Sequence, residues 1–183
     1  MMRNTTWTWG SVARSFHWIL GGLIIAMLAY GWWMNHIPAR PDRFFHRSIH
    51  ADIGYVVLLL TVARLIWRGI NPTPALPDDM SRWQRTAARI SHGSLYAFTI
   101  LVAMLGWAHS GAHTPNYSSW FGLFHVPQIT SPDKATAVAY EHRHIFFAYV
   151  LLALIVVHIA AAAWHHFMKG DDVASRMIDG ARG

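Results

Sequence analysis

The chain has 183 residues, 54% of them hydrophobic and only 13% charged, with 15 Lys and Arg against 9 Asp and Glu. A soluble domain carries roughly 25% charged residues; the scarcity here, with long charge-free runs, excludes an ordinary soluble fold. The absence of cysteine excludes disulfides, thiolate metal centres, iron–sulfur clusters and covalent C-x-x-C-H haem attachment. Thirteen histidines leave imidazole as the candidate ligand for any cofactor.

Residues 1–10 are polar and Trp-rich. The apolar run that follows is too long for a signal-peptide core and has no clear small-residue cleavage site, so a retained first helix is expected. Four membrane-spanning helices are predicted, at about residues 12–34, 47–67, 83–109 and 141–168, with a tail over 169–183. The expected fold is an all-α membrane protein, a four-helix bundle forming a single membrane domain over residues 1–183.

The second helix is the short one. Asp52 and Arg64 interrupt it, so it spans only if His50 and Asp52 face the protein interior and Arg64 snorkels or pairs. Asn71-Pro-Thr-Pro-Ala-Leu-Pro77 ends it, because three prolines cannot continue a helix. Asp78, Asp79 and Ser81 then offer capping chemistry for the lead into the third helix.

Lys and Arg set the orientation. Ten (Arg3, Arg14, Arg64, Arg68, Arg82, Arg85, Arg89, Lys169, Arg176 and Arg182) fall on the side of the termini, against five (Arg40, Arg43, Arg47, Lys134 and Arg143) on the other. Both termini are therefore expected in the cytoplasm.

An ionisable residue at membrane depth is a functional candidate, because an unpaired polar group there is costly. His144 and His158 are 14 residues apart, close to four helical turns, so they share a face about 21 Å apart along the axis. His17 lies one turn inside the cytoplasmic start of the first helix, level with His158. His50 lies near the outer start of the second, level with His144. Two level pairs suit bis-imidazole ligation of haem between facing helices, an inner haem on His17 and His158 and an outer haem on His50 and His144. Gly21, Gly22, Gly54 and the alanines at 160–163 suit a bulky flat cofactor, or simply close helix packing.

The segments Arg14-Ser-Phe-His17-Trp18, His50-Ala-Asp-Ile-Gly54, Val62-Ala-Arg64-Leu-Ile-Trp-Arg68 with Asn71-Pro-Thr-Pro74, Ser91-His92-Gly93, and His158 with its alanine run and His165-His166 resemble the bacterial dihaem cytochrome b561 family, over nearly the whole chain. The resemblance implies two b-type haems on His17, His50, His144 and His158. It also implies ubiquinone as an electron acceptor, since some members oxidise superoxide and pass its electrons to that quinone. Asp52 departs from the family pattern. His92, which matches a family histidine, reads either as a contact to a haem propionate or quinone carbonyl, or as a helix-packing hydrogen bond. Arg64 and Arg68, at i and i+4, share a face and would neutralise propionates or anchor the helix at headgroups; the depth of Arg64 favours propionate.

His36, His46, His109, His113 and His125 fall in or beside outer loops, His142 points away from His144, and His165 and His166 sit at the inner interface. A zinc site on His109, His113 and His125 has only generic spacing behind it.

Two electron-transfer readings follow. In one, Arg40, Arg43, Arg47 and Arg143, with Lys134, form a basic rim that steers superoxide to the outer haem, and quinone is reduced near the inner one. In the other, the chain is a passive carrier docking a soluble periplasmic redox protein on the aromatic loop at 110–140. The same basic rim would also suit anionic lipid heads. A His-rich metal transporter would instead need ligands clustered near the bilayer midplane, and no nucleic-acid partner is expected.

Overall fold

The computed structural model describes residues 1–37, 41–77, 80–113, 119–178 and 180. Among these, four helices are long and apolar enough to cross a membrane: α1 Ser11–His36, α2 Pro41–Gly69, α3 Arg82–Ala112 and α4 Lys134–Trp164. Between α3 and α4, β1 Ser119–Trp120 pairs antiparallel with β2 Phe124–His125. A π-helical turn, His165–Lys169, prolongs α4, and a short α5 covers Ser175–Ile178. The protein is a mostly helical four-span membrane protein. Leu59, Ile66, Phe146 and Val157 are exposed on the helices, as side chains that meet lipid must be.

Local chemistry explains where the helices begin and end. α2 starts at Pro41, ahead of the expected residue 47, because proline is preorganised for a first helical position. It stops where Asn71 Nδ2 donates to the Trp67 carbonyl, just before the prolines. Ser81 and Gln84 form a capping box at the start of α3: the Ser81 backbone N–H and hydroxyl both donate to Gln84 Oε1 at 3.0 Å. Asp78 and Asp79, the other expected caps, lie outside the described residues.

α4 also begins early, at Lys134 rather than 141, because Asp133 caps it. The Asp133 carboxylate accepts the Thr136 N–H at 2.7 Å. Hydrogen bonds from Thr136 hold the Asp133 carboxyl below the usual range. A depressed folded pKa means that the cap supports the helix at neutral pH and is lost as acid protonates the carboxylate. The connection between α3 and α4 is correspondingly shorter than the loop expected at 110–140.

The chain forms two compact units. The first comprises Met1–Gly21, Leu60–Ala97 and Ala153–Gly183; the second comprises Gly22–Leu59 and Phe98–Leu152. In the first unit the N-terminal segment, the proline loop and the C-terminal segment are tied by backbone acceptors. Asn4 donates to the Pro72 carbonyl at 3.0 Å and accepts the Gly10 N–H at 2.9 Å. Arg176, ion-paired with Asp172 at 2.8 Å, donates to the Ala75 carbonyl at 2.7 Å. Trp18 Nε1 donates to the Met177 carbonyl at 3.0 Å.

Gly10 is the tightest point of this clasp. A Cβ there would stand 2.3 Å from the Met2 carbonyl oxygen and 2.5 Å from Arg3 backbone carbon, whereas one at Gly69 would meet nothing within 4 Å. Gly10→Ala is expected to lower stability by about 1–3 kcal/mol and Gly69→Ala to be near neutral, read as thermal unfolding midpoints in detergent.

Candidate functional site

In the second unit, α2 and α4 bring His50 and His144 together, with ring centroids 6.1 Å apart and planes at 84°. At roughly 2 Å per metal–nitrogen bond, that separation admits one metal ion between the rings. His144 is oriented by its backbone partner: Nδ1–H donates to the Val102 carbonyl at 2.9 Å, which leaves the Nε2 lone pair free. A ligating histidine normally has its tautomer fixed in this way.

His50 Nδ1 is buried and has no hydrogen-bond partner. Glycines lie against both rings: a Cβ at Gly31 would come within 3.0 Å of His50 Cε1, and one at Gly106 within 3.1 Å of His144 Cε1. Tyr30 stacks on His50 at 6.0 Å and bonds through its hydroxyl to His46 Nδ1 at 2.8 Å. A cavity of about 460 Å³, largely apolar, runs past both histidines. Free lone pair, unpartnered nitrogen, glycine walls and apolar cavity all fit the haem expected from the sequence.

The first unit places His17 and His158 with the same 6.1 Å centroid separation, at 66°. His92 is closer still to His158, at 5.6 Å. Arg64 Nη2 donates to His17 Nδ1 at 3.0 Å. A guanidinium has no acceptor, so His17 Nδ1 must hold a lone pair and the ring proton sits on Nε2, opposite to His144. Arg64 and Arg68 also lie over the Tyr96 ring, at 5.4 and 6.0 Å. The condition for α2 to span is thereby met: His50 lines the cavity, Asp52 is 3% exposed and Arg64 is partnered.

The basic rim is less free than its charge count implies. Arg47 is ion-paired with Glu141 at 2.7 Å, a carboxylate that counting Lys and Arg leaves out. Arg43 donates to Asn35 at 3.3 Å and Arg143 lies 5.9 Å over the Tyr140 ring. Arg40 lies outside the described residues.

His109 and His113 are neighbours, with centroids 4.7 Å apart. Burial and the Arg47 guanidinium hold His113 below the usual imidazole range. Among the described residues no group of three or more His, Asp or Glu is placed to hold a metal ion, which gives the zinc reading no support. His165, expected in solvent, is 9% exposed and its Nδ1 donates to the Asp171 carboxylate.

A family model described as prokaryotic cytochrome b561 matches residues 8–180. The chain is 31% identical to cytochrome b561 homolog 2 of Escherichia coli K12 over 177 residues, covering 96% of this chain and 93% of that protein. It is 29% identical to cytochrome b561 homolog 1 of the same organism, over 72% of this chain and 74% of that one. With the probable superoxide oxidase CybB of Yersinia pestis it shares 26% identity over 91% and 93% of the two chains.

Gly106 offers a test of the second unit. Gly106→Ala brings a methyl to 3.1 Å from His144 Cε1 and 3.2 Å from Nδ1, so the ring must shift. Gly54→Ala, with nothing within 4 Å, is the control for an added methyl on the cavity wall. Gly106→Ala is expected to disturb the visible and low-spin EPR spectra of the purified protein; unchanged spectra would detach His144 from the cofactor.

Proposed function

The chain belongs to the prokaryotic cytochrome b561 family of membrane electron-transfer proteins, which implies b-type haem, and on that premise we propose that it binds two haems, oxidises superoxide and reduces ubiquinone. His50 and His144 hold the outer haem, His17 and His158 the inner one. The protein lies in the bacterial inner membrane with both termini in the cytoplasm. The observation that carries this reading is the pairing of histidines in each unit at 6.1 Å, from residues far apart in the chain.

Haem supplies one-electron redox chemistry, with potentials set by its ligands and their surroundings. In the net reaction two superoxide anions each give up one electron and leave as oxygen, and one quinone takes two electrons and two protons to become a quinol. The chain's residues have separate parts in this. His144, pinned by Val102, presents Nε2 without rearrangement. His17 must move its proton from Nε2 to Nδ1 to present the same atom, and Nδ1–H can no longer accept from Arg64. Arg64 is then released beside His92 and Arg68, a cationic group suited to propionate carboxylates. His92 contacts either a propionate or the quinone carbonyl.

On the outer side Arg43 and Arg143, with Arg40, steer the anion, while Arg47 holds Glu141. The 26% identity to a probable superoxide oxidase supports superoxide as the donor.

Stopped-flow mixing with superoxide tests the activity. Haem reduction faster than spontaneous dismutation is expected, and its absence would leave the passive carrier. Neutralising Arg43 and Arg143 together is expected to slow the bimolecular step about tenfold at low salt and to flatten its salt dependence. The ligand pairing has a separate test: His158→Ala is expected to remove one haem and His50→Ala the other, counted by redox titration of the visible spectrum. Loss of the same haem in both variants would overturn the pairing.

A further inference from the structure

The hairpin between α3 and α4 presents an apolar tip that the electron-transfer chemistry does not use. Phe121, Leu123 and Phe124 are 51%, 74% and 55% exposed, and Ile129 beyond them is 44% exposed. From residue 119 to residue 132 the chain carries no Lys, Arg, Asp or Glu. Exposed apolar surface of this kind, free of charge, marks an interaction site.

The anchoring of the hairpin says what kind. The Phe121 N–H donates to Asp52 Oδ2 at 3.0 Å. Asp52 lies within α2, eleven residues beyond its start at Pro41, about 16 Å along the helix axis. The hairpin therefore does not ride above the helix ends; its turn comes down beside α2. The following segment is fixed closer to a helix end, in the last turns of α3, where Trp107 Nε1 donates to the Pro127 carbonyl at 2.8 Å and Thr130 Oγ1 to the Ala108 carbonyl at 2.7 Å.

Non-helical backbone at such depth is tolerated only when its polar groups find partners in the protein. Here the turn closes on itself through Leu123 N–H to the Trp120 carbonyl at 2.9 Å. Phe121 and Gly122 adopt left-handed φ of 47° and 75°, which turns the Phe121 N–H towards Asp52. A carboxylate only 3% exposed inside a transmembrane helix is costly; Oδ2 takes the Phe121 N–H, and Oδ1 is buried without a partner.

We propose that residues 120–129 form a re-entrant hairpin whose apolar tip is seated in the lipid of the outer leaflet, with Asp52 as its anchor. The occupant of the exposed Phe121, Leu123 and Phe124 surface is the acyl and headgroup boundary of the bilayer, where aromatic side chains accumulate. A soluble protein partner would favour the same residues only if the turn stood clear of the membrane, and its tether to Asp52 holds it against the apolar helix α2.

The lack of native cysteine makes single-site spin labelling clean. The full-length holoprotein is reconstituted in phosphatidylethanolamine–phosphatidylglycerol nanodiscs with a nitroxide at Leu123→Cys or Phe124→Cys. Leu59→Cys, exposed on α2, serves as the lipid control, and Ala135→Cys, exposed beside the Asp133 cap, as the aqueous one. Collision with oxygen relative to an aqueous nickel chelate is expected to match Leu59 at both hairpin sites. Values matching Ala135 would overturn the proposal and pass the surface to a soluble partner.

The anchor is tested in the same labelled background. Asp52→Leu is expected to shift the hairpin labels towards the aqueous value. Asp52→Asn, which keeps an acceptor oxygen, is expected to leave them in lipid. Labels that stay in lipid in the Asp52→Leu protein would remove Asp52 from the role of anchor. The wild-type labels decide the membrane seating even if Asp52→Leu fails to fold.

Discussion

A polar group at membrane depth has no water to fall back on, so each one must find its partner within the protein. Most of the side-chain contacts within the spans follow from that constraint. His144 satisfies Nδ1 on the Val102 carbonyl, and His17 satisfies its own on Arg64. Ser110 Oγ donates to the Trp107 carbonyl at 3.0 Å and bonds the Tyr55 hydroxyl at 2.9 Å. Buried side-chain atoms of α2 without a partner include His50 Nδ1, Asp52 Oδ1 and Trp67 Nε1, and of these His50 Nδ1 belongs to a residue that lines the cavity. An orphan of this kind is tolerable beside a site built for a ligand, and costly elsewhere.

Much of this was legible in residue spacing. Charge-free runs located three of the four helices, because the bilayer imposes a minimum apolar length; α2, interrupted by Asp52 and Arg64, needed those residues to find partners. The helical rise of α4, taken with the alternating direction of α1 and α2, paired His17 with His158 and His50 with His144, and the structure brings the same rings together. Helix starts were less legible. Hydropathy marks where lipid begins, whereas Pro41 and Asp133 start their helices in polar surroundings by backbone and capping chemistry. Ser81 was readable as a cap because its partner Gln84 lies three residues on; Asp133 followed a loop whose length hid the Pro132-Asp133 signal.

Contacts that join distant segments left little trace in the sequence. Asp52 stood out as a charge without a family counterpart, but its partner is a backbone N–H 69 residues away, and no side-chain pattern announces a backbone donor. His165 belongs to the same class: an imidazole at a helix end reads as solvated until Asp171, beyond the Gly170 turn, folds back on it. Counting Lys and Arg had its own blind spot. It treats every cation as free, while Arg47 is paired with Glu141 at 2.7 Å. Any anion steering by this rim would then depend more on Arg43 and Arg143 than the raw count implies.

The two histidine pairs share a spacing but differ in readiness. A carbonyl can only accept, so Val102 fixes the proton of His144 on Nδ1 and leaves Nε2 open. A guanidinium can only donate, so Arg64 fixes the proton of His17 on Nε2, the atom a metal would need. The same arginine that partners His17 at depth therefore holds it in a tautomer that would have to change before Nε2 could ligate a metal. On the proposed ligation His17 would exchange Arg64 for a metal bond, and the Arg64 guanidinium would be left to pair with an anion of the cofactor, for which propionate carboxylates are suited. Ligation and charge compensation in the first unit would then be a single coupled event, whereas in the second unit the orientation of His144 is fixed in advance by the backbone.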